Sequence, residues 1–219
     1  MTAKDMFSHR VSILTGHYGT GKTEVSVNLA LALAAEGEQV MLADLDIVNP
    51  YFRSRERRPL LEKAGVRVIS SSQACSDADV PALPAELLTI LENREIRGIL
   101  DIGGDPGARV LALFQPKIVQ EDYQLIFVLN ANRPEVRDAE SAAAYLRSIE
   151  AVTGLTCSGL VNNTHLCGET TPAEISKGAA LAQEVSRQTG IPILCHTAER
   201  RFLESLSDLG EPVFPIAIN

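Results

Sequence analysis

Apolar positions in this chain fall into short unbroken runs, and stretches with helical spacing lie between them. The runs at 10–15, 39–44, 66–70, 98–102, 124–130, 157–162 and 191–195 are apolar and rich in β-branched residues on consecutive positions. Strands covered on both faces read this way, whereas half-exposed strands alternate. A last strand is expected near 212–217. Helical spacing predicts helices over 22–36, closed by Gly37, and over 82–93, where Leu83, Leu87, Leu88 and Leu91 share a face. Further helices are expected over 135–152, over 172–189 behind the cap-and-proline pair Thr171-Pro172, and over 198–208. Another begins after Asn49-Pro50. The polar segment 70–81 reads as a surface loop. Repeated β-α-β units call for right-handed crossovers and a mostly parallel sheet of about seven to eight strands with helices on both faces. The fold class is therefore α/β, in three layers, with ligands expected at the carboxyl ends of the strands.

That edge is where the chemistry-bearing residues collect. Residues 16–23 read GHYGTGKT, a full match to G-x-x-x-x-G-K-[ST], placed between a strand and a helix start. Its glycines let successive backbone N–H groups turn inward onto a phosphate, and the helix N-terminus adds positive potential. The nucleotide-contacting set is Gly16, His17, Tyr18, Gly19, Thr20, Gly21, Lys22 and Thr23, with Glu24 directly behind. Lys22 would neutralise the β/γ oxygens and the Thr23 hydroxyl would ligate Mg²⁺. Asp44 and Asp46 lie on one side of the second strand's end, a costly arrangement unless a divalent cation or a polarised water joins them. A polar turn capping the next helix is the plainer alternative. Asp101 closes the fourth strand as a Walker-B acid would, and Asp101-Ile102-Gly103-Gly104 satisfies D-x-x-G, in which the glycine N–H reaches the γ-phosphate. The segment 105–109 would then move with it. Asp101, Lys22 and Asp46 are the candidate catalytic residues, and Thr23, Asp44, Asp46 and Asp101 the candidate metal ligands.

GHYGTGKT, DLDIVNP and DIGGD together resemble the MinD/ParA/CobQ branch of P-loop NTPases. That branch includes nitrogenase iron protein, nickel-inserting ATPases and the dethiobiotin synthetase and CobB ligases. The resemblance runs from the strand before Gly16 to the last strand, and implies the P-loop NTPase fold with ATP and Mg²⁺ as ligands. It also implies that Asn163, with Asn162 beside it, reads adenine from strand six, since an amide can both donate to and accept from a purine edge. An asparagine-rich loop with no ligand is the alternative for that pair. Many members carry a second lysine after the first loop glycine, reaching across a homodimer to the partner's phosphates. Here that position is His17, followed by Tyr18. Neutral histidine supplies no fixed charge at pH 7, so Arg53, Arg55 or Arg109 would have to serve.

Composition narrows the class. The chain has 219 residues, 45% of them apolar, and one domain over 1–219 is expected. A net charge of −8 disfavours a nucleic-acid partner. Cys75, Cys157, Cys167 and Cys195 form no C-x-x-C pair, which fits a reducing compartment. With no apolar leader in MTAKDMFSH and no membrane-length run, the expected location is the cytoplasm. Among the remaining polar residues, Arg57 and Arg58 read as a solvated helix face, His165 and Cys167 as a loop histidine and a structural thiol, and His196 as a partly exposed turn residue. Three functions fit. One is an ATPase whose hydrolysis changes its shape toward a protein partner. Another is an ATP-dependent ligase in which Asp46, Arg53 and Arg55 hold a small carboxylate substrate. The last is a nucleotide-dependent binding module with negligible turnover.

Overall fold

A computed structural model of the chain describes residues 1–45, 54–70, 85–136 and 138–218, and within these the side chains of 54–56, 70, 85 and 86 are left aside. Among the described residues eight strands form one sheet in the order β3-β2-β4-β1-β5-β6-β7-β8, every neighbouring pair parallel. They are β1 (Val11–Thr15), β2 (Gln39–Asp44), β3 (Arg67–Ser70), β4 (Ile96–Asp101), β5 (Tyr123–Leu129), β6 (Cys157–Asn162), β7 (Ile193–Glu199) and β8 (Val213–Ile216). The helices are α1 (Ala3–Met6), α2 (Lys22–Ala35), α3 (Ser54–Lys63), α4 (Ala85–Glu92), α5 (Gly104–Ile118), α6 (Ala139–Thr153) and α7 (Pro172–Thr189).

Winding direction sorts the helices into layers. From β1 the chain steps through α2 and α3 toward β3, and right-handed crossovers put those helices on one face. The steps back through β4 to β7 put α4, α5, α6 and α7 on the other. The core divides accordingly. Val11, Ile13, Leu100, Leu125 and Phe127 pack with α4 to α7. Leu14, Leu42, Ile99, Ile126 and Val128 pack with α1, α2 and α3. Adjacent residues such as Ile13 and Leu14 thus serve opposite layers, which is why the strands read as continuous apolar runs. The architecture is the three-layer α/β/α sandwich expected of a P-loop NTPase.

Four segments depart from the sequence expectation. Helix α5 occupies 104–118, a stretch for which no helix was expected and which includes the segment 105–109. Its Pro106 lies in the first turn, where a missing N–H costs nothing, so D-P-G does not break the helix. The helix expected over 198–208 is replaced by a β7 that continues to Glu199 and by two 3₁₀ turns, Arg200–Phe202 and Glu204–Leu206. Helix α6 starts at Ala139 behind an Asp138 capping box, with a 3₁₀ turn over Pro134–Val136 ahead of it. Helix α1 had no signal beyond Thr2, which caps it reciprocally with Asp5.

Candidate functional site

β1 is the strand from which the chain winds in both directions, and the loop leaving its carboxyl end sits at that switch point, the favoured ligand position in such sheets. This loop is residues 16–21. Gly21 caps α2 in the left-handed region (φ 82°), and a Cβ there would collide with the Asn163 amide. At Gly16 (φ 146°) a Cβ would meet the Val128 carbonyl at 2.5 Å. Both positions therefore require glycine for space as well as for φ. Lys22 begins α2 and is 8% exposed, and its Nζ donates to the carbonyls of Gly16 (3.0 Å) and His17 (2.9 Å). Its ammonium is thus folded over the loop it would serve. The Thr20 hydroxyl donates to the same His17 carbonyl at 2.9 Å, and Thr23 is half-buried in the first helical turn.

On one flank, β2 and β4 are paired so that Asp44 lies opposite Asp101. The strand register therefore puts two carboxylates side by side at the sheet's carboxyl edge, next to β1. Asp101 is buried and Asp44 half-buried, and the Leu45 N–H donates to the Asp101 carbonyl at 2.9 Å. Carboxylate and hydroxyl oxygens are hard donors of the kind that suits Mg²⁺. Asp46, Asn49, Pro50 and Arg53 lie outside the described residues, and Arg55 is in α3. Glu24 is buried in the first turn of α2, facing Arg57 at 3.5 Å and Asn28 at 3.4 Å. Arg57, expected on a solvated face, is instead turned inward. Arg58 does sit at the surface, on Glu62 and the Val68 carbonyl.

The other flank is a hydrogen-bonded scaffold. Asn163, wholly buried, donates from its amide to the Thr20 carbonyl at 2.8 Å and accepts from the Thr197 hydroxyl at 2.5 Å. It ties the phosphate loop to β6 and β7. Asn162 donates to the Ile175 carbonyl and to His196 Nδ1 and accepts from the Thr164 N–H, so its amide faces α7 and β7 within the core. The adenine contact expected of this pair therefore finds both side chains engaged inside the protein. His196 is not a turn residue. It is fully buried in β7, with Nε2 donating to Glu211 at 3.1 Å. His165 is buried beside Gly21, and Cys167 is exposed at φ 51°.

Two site residues had no signal in the sequence. Arg133, in the β5–α6 connection, donates from Nε to the Gly19 carbonyl at 2.6 Å and so sits over the loop. Tyr145 on α6 reads as an ordinary apolar helix position, yet its ring stacks on His17 with centroids 3.5 Å apart and planes 21° apart. Its hydroxyl donates to the Asp105 carboxylate at 3.0 Å. Burial lowers the basicity of the His17 imidazole, Lys22 adds to this, and Glu135 and Asp105 oppose it. Burial and the Asp105 carboxylate both make the Tyr145 phenol harder to ionise. The residue in the second-lysine position is thus held within its own chain. Arg109 is exposed on α5.

A family profile described as ParA, NUBPL iron-transfer P-loop NTPase, matches residues 6–55. A cytosolic Fe-S cluster assembly factor, cfd1, of Emericella nidulans is 36% identical over 95 residues, 43% of this chain and 26% of that protein. The iron-sulfur cluster carrier protein of Escherichia coli K12 is 50% identical over 40 residues, 18% of this chain and 11% of that protein. The chain thus spans about a quarter or less of the length of these relatives. Among solved structures, the cell division protein FtsY of Thermotoga maritima superposes with a TM-score of 0.51 at 24% identity, covering 84% of this chain and 59% of that one. The signal recognition particle 54 kDa protein of Aeropyrum pernix gives 0.53 at 24%, covering 84% and 40%. These two likenesses concern the fold alone. Over residues 6–55, which hold the loop and the end of β2, the chain is thus similar to ParA-type P-loop NTPases.

Proposed function

We propose that the chain is a Mg²⁺-dependent ATPase, a single nucleotide-binding domain over residues 1–219, whose hydrolysis cycle changes its shape toward a protein partner. The observation that carries this reading is the convergence of Lys22, Asp44 and Asp101 on adjacent carboxyl strand ends, β2, β4 and β1 in sequence across the sheet. In the proposed site Lys22 leaves the loop carbonyls to neutralise the β- and γ-phosphates, and the backbone N–H groups of residues 19–23 cradle the β-phosphate. Thr23, Asp101 and Asp44 would hold Mg²⁺, which would supply charge neutralisation at the phosphates. Asp46 remains the proposed orienting group for the attacking water. Asn163 acts beneath the loop by fixing the Thr20 carbonyl, and ATP is preferred over GTP.

The relatives named above are iron-sulfur assembly or carrier factors, and we bring to this chain the nucleotide-driven half of that role. Cys157 and Cys195 are buried in opposite core layers, where desolvation pushes their thiols up, that of Cys157 to about 12. Cys167 is exposed on a separate turn. Among the described residues no group of three His, Cys, Asp or Glu could hold a metal. The carboxylate-ligase reading has no counterpart among these relatives. No helix among the described residues is long and apolar enough to cross a membrane, and we propose the cytoplasm as the working compartment.

The test is phosphate release from ATP by the purified protein with Mg²⁺ and no second substrate. Steady release that falls to background without Mg²⁺, and that is slower with GTP, supports the reading. Release that appears only when a carboxylate compound is added would reinstate the ligase.

A further inference from the structure

Three elements meet at one side chain. His17 belongs to the phosphate loop, Asp105 follows Gly104 of D-x-x-G at the start of α5, and Tyr145 on α6 contacts both, by ring stacking and by its hydroxyl. Loop and D-x-x-G segment are thereby linked through a helix belonging to neither. The charged groups around the contact are Lys22 on α2, Glu135 in the β5–α6 connection and Asp105 itself.

We propose that Tyr145 is a positioning residue that latches the D-x-x-G segment, and that the γ-phosphate opens the latch at Asp105. The inference rests on the nucleotide site proposed above. Gly104 has a left-handed backbone (φ 56°) and is the first residue of α5, where the first N–H groups have no partner within the helix. A γ-phosphate attracts that N–H and pulls the first turn of α5 toward the loop. Asp105 is the next residue and cannot follow while Tyr145 holds it from α6, which is fixed in the core through Ala142, Leu146 and Ile149. The His17 stack keeps the phenol aimed at Asp105 from the loop side. The latch therefore opposes ATP and is indifferent to ADP, because ADP has nothing to pull Gly104 with. A ligand shifts such an equilibrium only through its different affinity for the two arrangements.

The experiment measures ATPγS and ADP affinities by calorimetry for the wild type, Tyr145→Phe and Asp105→Ala, each with Mg²⁺ and each checked for cooperative unfolding. The first variant keeps the stack and loses the hydroxyl, and the second loses the carboxylate from an exposed position. Both should bind ATPγS about three- to tenfold more tightly, the range for removing an exposed charged hydrogen bond, with ADP affinity unchanged. A second readout uses tyrosine emission, since the chain has four tyrosines and no tryptophan. A phenol hydrogen-bonded to a carboxylate emits weakly, so ATPγS should raise emission in the wild type and not in Tyr145→Phe. An ATPγS-to-ADP affinity ratio that stays at the wild-type value in both variants overturns the latch while leaving the nucleotide site intact. A wild type that binds neither nucleotide overturns the site and the latch together.

Discussion

The two flanks of the phosphate loop are built on opposite principles. On the β5–β6–β7 flank three polar side chains are matched within the protein: Asn163 with Thr20 and Thr197, Asn162 with His196 and Ile175, and Arg133 with Gly19. On the β2–β4 flank the register sets two carboxylates against each other at half-buried and buried positions. Satisfied hydrogen bonds rigidify, while adjacent like charges are stable only when something cationic joins them. One flank therefore holds the loop in shape, and the other carries the carboxylates proposed above to meet the cation. A polar residue near a nucleotide loop is not a ligand by virtue of its position.

The sharpest way to break this contrast is on the chemical side. Lys22→Ala and Asp101→Ala should each lower kcat/KM for ATP by about a hundredfold or more in a phosphate-release assay, the scale of losing a charge-stabilising group. Asp101→Ala should still bind nucleotide in chelator, where no Mg²⁺ is lost. If either variant hydrolyses ATP at the wild-type rate, the acid flank is scaffold too. Next in size are the paired asparagines. Asn163→Ala and Asn162→Ala each strand buried partners and should cost about 2–3 kcal/mol, lowering Tm by about 4–12 °C. Only Asn163→Ala should also weaken ATP, because only Asn163 holds a loop carbonyl. Equal nucleotide affinity in the two variants would erase the distinction.

Arg133→Ala should act more gently, raising KM for ATP about two- to fivefold with kcat little changed, as expected of an exposed charged hydrogen bond. A fall in kcat alone would make Arg133 a participant in the reaction. The smallest effect concerns His17. Burial disfavours its charged form, so its NMR titration midpoint should lie below the ordinary value near 6.5 and rise toward it in Tyr145→Ala. The unfolded chain takes up this proton first, so the contribution of neutral His17 is complete above about pH 6.5 and declines as pH falls below it.

Much of this was legible from residue order. GHYGTGKT needs only a strand before it and a helix after it, and both are local patterns, so loop and neighbours coincide with expectation. The layers followed because continuous apolar strands admit few alternatives. Contacts between elements distant in sequence were not legible. Tyr145 and His17 are far apart in the chain, and nothing in AAAYLRS marks that ring as different from a core aromatic. Asn162 and Asn163 are neighbours of the same type, but strand alternation sends one toward α7 and the other toward the loop. Arg57 read as solvated because its partner, Glu24, lies on another helix. His196 read as a turn because β7 extends past its apolar run. Helix α5 was missed for a local reason, since a proline in a first turn is permitted where one in mid-helix is not.

One feature of α2 bears on how any motion could leave the site. Its Asn28 amide brackets Ala217, accepting that residue's N–H at 2.8 Å and donating to its carbonyl at 3.2 Å, in the manner of one more rung of sheet beyond β8. The helix that carries the loop is thus riveted amidships to a segment nearly two hundred residues away. A piston stroke of α2 would shear both bonds together with the side chains buried along it. The loop's anchor is a fixed post, which leaves the motion proposed above to the helix that begins at Gly104.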